Sequence, residues 1–412
     1  MAITLESIGL LQIPIAVGLL ASAVFYLIEL YSARQFFRPR PVAASGYRPA
    51  VSVLKPLKGL DIGLYDNLVT LCHQRYPAPF QLIFGVADPH DPAVAVVRRL
   101  QREFPKLDIE LVADHRVYGA NYKISNLHNM YRHAKHGVVI LADSDIRVGP
   151  NYLARVVEPL QDRQAGLVTC IYRAINTGGL PTLVESLFVN TDFAALVMLA
   201  RKVEKSSYAF GATIAMRREV LDEIGGFLPI ANLLADDYEI GYRIAQRGYR
   251  LELSTEVVDT VLAVGTWGRL YDHQVRWART YRVNRPGGYF GSILTHGTFW
   301  AVSNMLYNGF SPLSCAASGA VIALRYLVAA RLAWTHLETD LTVPQFLLIG
   351  PKDLFVTFVW FAAFLGNEVV WSGHRFQVQK TGEMVDLTQP VEAVADGETG
   401  VEATRRRIGA KR

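Results

Sequence analysis

A run with no charged side chain, Ile8 to Ile28 (IGLLQIPIAVGLLASAVFYLI), constrains this chain more than any other feature. As a helix it is long enough to cross about 30 Å of hydrocarbon. A cleaved signal peptide is the competing reading, but no basic residue precedes the run and no clear small-residue cleavage site follows it. Further apolar runs lie near the other end: Leu313 to Trp334, interrupted by Arg325 and Arg331, and Leu354 to Val370. Residues 291–310 are more polar, with His296, Ser303, Asn304 and Asn308, and read equally as a span, a re-entrant piece or an interfacial helix. Composition agrees, at 51% hydrophobic and only 19% charged.

Arg34, Arg38 and Arg40 follow the first run, whereas only Glu6 precedes it, so the central segment is expected on the cytoplasmic side. The terminal RRRIGAKR favours the same anionic side, which requires an even number of crossings after the central segment. A net charge of +5 fits membrane apposition and gives no reason to invoke nucleic acid. Cys72, Cys170 and Cys315 lie far apart without CxxC spacing, which suits a reducing compartment and excludes a cysteine metal site.

From about Tyr47 to Thr260, short apolar runs alternate with helical patterns. AVSVLKPLKG, FQLIFGVADP, DIELVAD and GVVILADSD read as strands; GLYDNLVTLCHQRYP and AVAVVRRLQREFP read as helices. This order predicts a largely parallel sheet covered by helices on both faces, with ligands bound beyond the C-terminal strand ends.

Polar motifs stand at those ends. Asp143 and Asp145 in ADSD can hold a hard divalent cation while leaving positions for pyrophosphate oxygens, although such a pair also arises by chance. Asp88 in VADPHDPA caps a turn or accepts hydrogen bonds from a base or ribose; Asp91 is its rival. Asp236-Asp237 precedes the helical YEIGYRIAQRG, which divides naturally into one helix cap and one general base. His273-Gln274-Val275-Arg276-Trp277 reads as an amphipathic interface helix, or as an apolar plane for an acceptor beside a cation for diphosphate. Lys123, in NYKISNL at a helix start, is either a surface lysine or a phosphate contact.

Together SVLKPLKG, ADPHDPA, NYKISNL, DSDIRV, LLADDYEIGYRIAQRGYRLELST and HQVRW resemble the family-2-type glycosyltransferases of GT-A fold. Within these, they are most similar to the ceramide glucosyltransferase group, which includes the bacterial hopanoid-biosynthesis enzymes. WSGHRFQVQKTG extends the resemblance, and RPGGYFGSILTHG inclines it to the hopanoid branch. It departs from the group's pattern at Asp145 (Gly there), Asp236 (Glu) and His273 (Gln or Arg).

The resemblance implies an inverting enzyme that uses Mg²⁺ or Mn²⁺ and moves glucose or N-acetylglucosamine from a UDP-sugar to a hydroxyl of a ceramide or hopanoid. Asp237 would be the catalytic base. Asp88, Lys123, Asp143 and Asp145 would bind the nucleotide sugar, the last two through the metal. Asp236, His273, Gln274, Arg276 and Trp277 would line the acceptor and diphosphate region.

The expected division is an anchor and linker (1–46), a cytoplasmic GT-A α/β domain (47–264) and an interfacial helix (265–290), then a membrane region (291–375) and a basic, partly disordered tail (376–412). A bacterial inner membrane is the expected location. The alternatives are a polyprenyl-phosphate or processive polysaccharide glycosyltransferase and, from another class, a non-catalytic nucleotide-sugar or lipid-binding membrane protein.

Overall fold

Runs such as VVIL and LIFGV, apolar at consecutive positions, form strands only where both faces of a sheet are covered. The computed structural model, which describes residues 5–38, 46–203 and 208–388, places them so. The chain begins with α1 (Leu5–Phe36), β1 (Val51–Pro56), α2 (Leu64–Cys72), β2 (Phe80–Val86), α3 (Ala93–Glu103), β3 (Asp108–Ala113), α4 (Tyr122–Tyr131) and β4 (Val138–Leu141). There follow β5 (Ile146–Arg147), α5 (Tyr152–Val157), β6 (Ala165–Ala174), α6 (Leu180–Phe188), α7 (Ala194–Val203), β7 (Ile214–Arg217), α8 (Arg218–Glu223), α9 (Asp236–Gln246) and β8 (Arg250–Thr260). Last come α10 (Trp267–Asn284), α11 (Pro286–Gly291), α12 (Gly297–Tyr307), α13 (Pro312–Ala330), α14 (Val343–Phe346), α15 (Ile349–Ala362), β9 (Glu368–Trp371), β10 (His374–Val378) and β11 (Met384–Asp386).

Eight strands form one mixed sheet in the order β3-β2-β1-β4-β7-β6-β8-β5. Strands β3, β2, β1 and β4 run parallel, and β7 is antiparallel to both of its neighbours. Alternate residues of one strand face opposite cores, as the two-residue period requires. Val53 joins Leu68, Val97 and Val156 of α2, α3 and α5. Leu54 joins Leu127, Leu221 and Ile240 of α4, α8 and α9. The C-terminal ends of β1, β2 and β4 therefore open at one edge, and the acid motifs stand there.

Four helical stretches among the described residues are long and apolar enough to cross a membrane: Leu11–Phe36, Leu180–Leu199, Pro312–His336 and Val343–Leu365. The second lies within the segment expected to be purely catalytic domain. It joins α6 to α7 through a π turn, Val189–Phe193, and 72% of its apolar window is buried, against 17% for the first. The region 291–310 resolves differently from a span, because α12 has 11 residues where a crossing helix needs about 20. The apolar run Leu354 to Val370 is divided between α15 and β9. The tail expected from 376 is folded as far as Asp386, since β9, β10 and β11 form an antiparallel sheet. Arg40 and the basic RRRIGAKR lie outside the described residues.

Candidate active site

Asn121 begins the assembly. Its side-chain oxygen caps α4 by accepting from Ile124 N at 3.0 Å, and its amide donates to Leu233 O at 2.9 Å. One residue thus fixes both the start of α4 and the loop that enters α9. Lys123 is thereby brought between two acids, its Nζ 2.8 Å from Asp143 Oδ1 and 3.0 Å from Asp236 Oδ2. Burial alone lowers a lysine pKa, but Asp143 and Asp236 outweigh it and hold this ammonium well above the usual lysine range.

Neither acid of the pair is the helix cap. Ala235 occupies that position, and Asp236 is held by Lys123 instead. Asp237 accepts from Gly211 N at 3.0 Å through Oδ2 and from Tyr238 N at 2.8 Å through Oδ1. A carboxylate oxygen has room for a further hydrogen bond beyond each of these. Burial first, and then Asp236, push the Asp237 carboxyl up to about 6, with Lys123 opposing.

Gly211 faces this group directly. A Cβ there would lie 2.9 Å from Asp143 Oδ2, 3.5 Å from Lys123 Nζ and 3.7 Å from Asp237 Oδ2. Only glycine lets the three charged side chains converge on one backbone point.

Asp145 sits deeper, with Oδ2 accepting from Thr260 Oγ1 at 3.0 Å; burial and the neighbouring Asp143 push it up to about 6. Lys55, fully buried, donates to Ile146 O at 3.0 Å and is lowered by burial to about 8, while Asp145, Asp143 and Asp61 act to raise it. Asp61 also accepts a hydrogen bond from the Ser144 hydroxyl. Asp61, Asp143, Asp145, Asp236 and Asp237 face Lys55, Lys123 and Arg276, so acid outnumbers base. Among the described residues no three His, Cys, Asp or Glu side chains form a ready-made metal cage. The hard oxygen pair at Asp143 and Asp145 fits a hard divalent cation that completes its shell with other oxygens.

The α10 motif divides in two. His273 Nδ1 and Gln274 Nε2 each lie 2.8 Å from one oxygen of Glu185, a fully buried carboxylate on α6. These two residues therefore lock α10 to α6. Arg276 is different: its guanidinium donates to no partner among the described residues. Burial depresses its pKa, while the charges of Asp236, Asp237 and Glu185 act against that. Trp277 packs on Phe188 and Phe193, with ring centroids 5.8 and 6.2 Å away.

Asp88 is exposed at the end of β2, where its Oδ1 accepts from His90 N at 2.8 Å. Its rival Asp91 has structural work: it receives Gly59 N at 3.0 and 2.9 Å and Ala93 N at 2.8 Å, tying the loop after β1 to α3. Sequence reading missed Lys55, Asp61, Glu185 and Gly211. Lys55 stands in the KP of a strand end and Glu185 is one of two acids in an apolar stretch, which are signals of the kind that could have found them.

The profile of glycosyl transferase family 21 matches residues 14–384. The chain belongs to that family. Ceramide glucosyltransferase 3 of Caenorhabditis elegans is 28% identical over 242 residues, which cover 58% of this chain and 52% of the relative. The ceramide glucosyltransferase of Gibberella zeae is 29% identical over 178 residues, 40% of this chain and 33% of that one. The chain thus spans about half the length, or less, of these curated relatives. Among solved structures, mannosyltransferase PcManGT from Pyrobaculum calidifontis, in complex with GDP-Man and Mn²⁺, aligns with a TM-score of 0.51 at 22% identity. That alignment covers 85% of this chain and 98% of the mannosyltransferase, and establishes the GT-A fold.

Proposed function

We propose that this family 21 protein transfers glucose or N-acetylglucosamine from a UDP-sugar to a hydroxyl of a membrane lipid of the ceramide or hopanoid type, with inversion at the anomeric carbon. One observation carries the reading: Gly211 holds Asp237, the candidate base, beside the Asp143–Lys123 pair, with Arg276 in electrostatic reach and without a side-chain partner among the described residues.

Asp237 accepts the proton of the acceptor hydroxyl as its oxygen attacks the sugar carbon from the face opposite UDP. Lys123 and Arg276 bring positive charge to the departing diphosphate. Asp143 and Asp145 are the residues that would hold Mg²⁺ or Mn²⁺, which supplies further neutralisation of that charge. Asp88 meets the nucleoside, a role supported by its exposure at the end of β2. His273 and Gln274 act through Glu185 to orient α10, so their part is positioning.

The long apolar helices support embedding in a bilayer, which we take to be a bacterial inner membrane, and Arg34 and Arg38 after α1 support a cytoplasmic catalytic domain. A polyprenyl-phosphate acceptor is already ionised and needs no base, so a poised Asp237 favours a hydroxyl. The deciding experiment offers UDP-glucose, UDP-galactose and UDP-N-acetylglucosamine to detergent-purified protein with Mg²⁺ and Mn²⁺, together with ceramide, diacylglycerol and hydroxylated hopanoids. A hexose or N-acetylhexosamine mass added to one lipid is the expected result. UDP binding without any glycosylated lipid would defeat the acceptor assignment.

A further inference from the structure

Asp237 lies beside a line of six aromatic rings that begins among the apolar helices and ends in water. At its inner end Trp277 lies 6.2 Å from Phe193, in the π turn between α6 and α7. Phe193 meets Phe210 edge-on at 5.3 Å, and Phe210 meets Tyr208 edge-on at 5.7 Å. Tyr208 then stacks on Tyr238 at 5.9 Å, and Tyr238 on Tyr242 at 6.0 Å.

The line runs from packed core to water. Phe193 and Phe210 pack against the core cluster that contains Ala33 and Phe36 of α1 and Leu332 of the stretch after α13. Tyr242, at the far end, is 40% exposed. Between them the chain runs Phe210-Gly211 and Asp237-Tyr238, so the rings flank the candidate base on two segments.

The line is also built with care for its spacing. Gly241, one helical turn beyond Tyr238, faces the segment at Tyr208; a Cβ there would lie 2.6 Å from Ala209 N and 2.7 Å from the Tyr208 backbone. Without that glycine α9 could not approach closely enough for Tyr208 and Tyr238 to stack. Arg285 fixes the outer end, with its guanidinium 5.6 Å from the Tyr208 ring and 5.9 Å from that of Tyr238, and its Nε 3.3 Å from the Tyr238 hydroxyl.

The gradient along the line has chemical meaning. The phenylalanines at the bundle end offer apolar faces alone, beside a tryptophan with a single indole N–H, and tyrosines with an arginine at the water end offer apolar faces with hydrogen-bonding rims. A molecule that matches it has a saturated chain next to a hydroxylated, polar head.

We propose that these rings form the acceptor rail: the hydrocarbon chain of the lipid lies along Phe193, Phe210 and Tyr208, its polar head meets Tyr238, Tyr242 and Arg285, and its reacting hydroxyl falls at Asp237. The inference rests on the proposed transfer to a lipid hydroxyl and specifies how that lipid is bound. Bonds change as in that reaction: oxygen joins the anomeric carbon, the bond to UDP breaks, and the hydroxyl proton passes to Asp237.

The test compares Phe193→Leu and Tyr208→Leu with wild type, using acceptors of one head group and increasing acyl length in the same mixed micelles. Comparison at equal chain length cancels partition into detergent. Each added methylene in contact with the rail tightens binding by about fourfold. The variants should therefore raise the acceptor KM about tenfold for long chains, and leave short-chain KM and donor KM within about twofold. Tyr208→Phe, which keeps the ring, should retain the wild-type chain-length dependence. Should Phe193→Leu fail to fold, the exposed Tyr242→Leu carries the corresponding test with acceptors of varied head group. A loss equal at all chain lengths, or one that falls on the UDP-sugar, overturns the rail but leaves the proposed reaction standing. Absence of transfer by wild type to any lipid hydroxyl overturns both.

Discussion

At the level of single residues, Gly211 and Asp237, the proposed base, meet through one hydrogen bond at 3.0 Å. A base must be ionised to take a proton, and Asp237 stands at about 6 because burial and Asp236 disfavour its charge. Turnover should accordingly fall as pH drops through about 6 and level off above it. Asp145 is raised to about 6 as well, so the limb is best read in kcat at saturating Mg²⁺ or Mn²⁺, which keeps Asp145 ionised. Asp237→Asn should lower kcat by roughly 10²–10⁴-fold with UDP binding retained. Near-normal turnover in a folded Asp237→Asn protein would instead favour an acceptor that is already ionised. Gly211→Ala probes the same point from the backbone side. Its methyl would sit 2.9 Å from Asp143 Oδ2, so the acids must move apart. A displacement of that kind costs on the order of 10²-fold in kcat, while a thermal melt should show little change. Asp88, Asp143 and Asp145 were legible in the sequence because apolar runs locate strand ends, and Asp236-Asp237 because a helical pattern follows them. Gly211 was not, since nothing local marks a glycine whose neighbours come from α4, the loop after β4, and α9.

At the level of elements, strands β1 to β4 and helices α2 to α4 were readable because apolar runs and helical spacing are local signals. The helical stretch from α6 to α7 was not, because Glu185, Asn190 and Asp192 break its apolar pattern. Those same residues explain why it is there. Glu185 holds α10 through His273 and Gln274. Asn190 exchanges hydrogen bonds with the backbone of Ala174, at the end of β6, at 2.9 and 3.0 Å. Asp192 lies 2.9 Å from Arg325 and also pairs with Lys352. Arg325, a costly residue in an apolar run, is thereby explained: it further contacts Asp353 at 3.0 Å, and Lys352 meets Asp353 at 2.6 Å. Removing one partner of a buried ion pair leaves charge uncompensated. Arg325→Leu should therefore destabilise the protein by about 3–5 kcal/mol, seen as a lower Tm in detergent. Asp192→Asn in the same chain should recover part of the loss, since it removes one of the stranded acids. An additive double variant would mean that the two residues are not coupled.

Across the whole molecule, the C-terminal sheet joins parts that are remote in sequence. Its core, Val369, Phe376, Val378 and Met384, packs on Leu234 before α9, on Ala120 and Tyr122 at the start of α4, and on Val283 of α10. Hydrogen bonds follow the same pattern. Leu234 N donates to Gly382 O at 3.1 Å, and Met384 N to Asn232 O at 2.8 Å. Tyr122 donates to Asp386 at 3.2 Å, Arg282 to Gly366 O at 3.0 Å, and Lys58 to Ser372 O at 2.9 Å. The segments so bound carry Lys123, the Asp236-Asp237 pair and Arg276. A sheet in this position acts on the site as a clamp, although none of its residues belongs to the acid and cation group. Composition alone marked this end of the chain as a tail, because the sheet's apolar positions are few and become a core only against three other elements. Deletion of residues 366–412 should leave a protein that still inserts into membrane and elutes from size exclusion as a discrete species. Its kcat should fall by on the order of 10²-fold, since α4, α9 and α10 would no longer be held in register. Restoring residues 366–388 alone should return the activity. If the shorter protein instead turns over at the full rate, the register of the three elements is set entirely by Asn121 and Glu185, and the sheet contributes only stability.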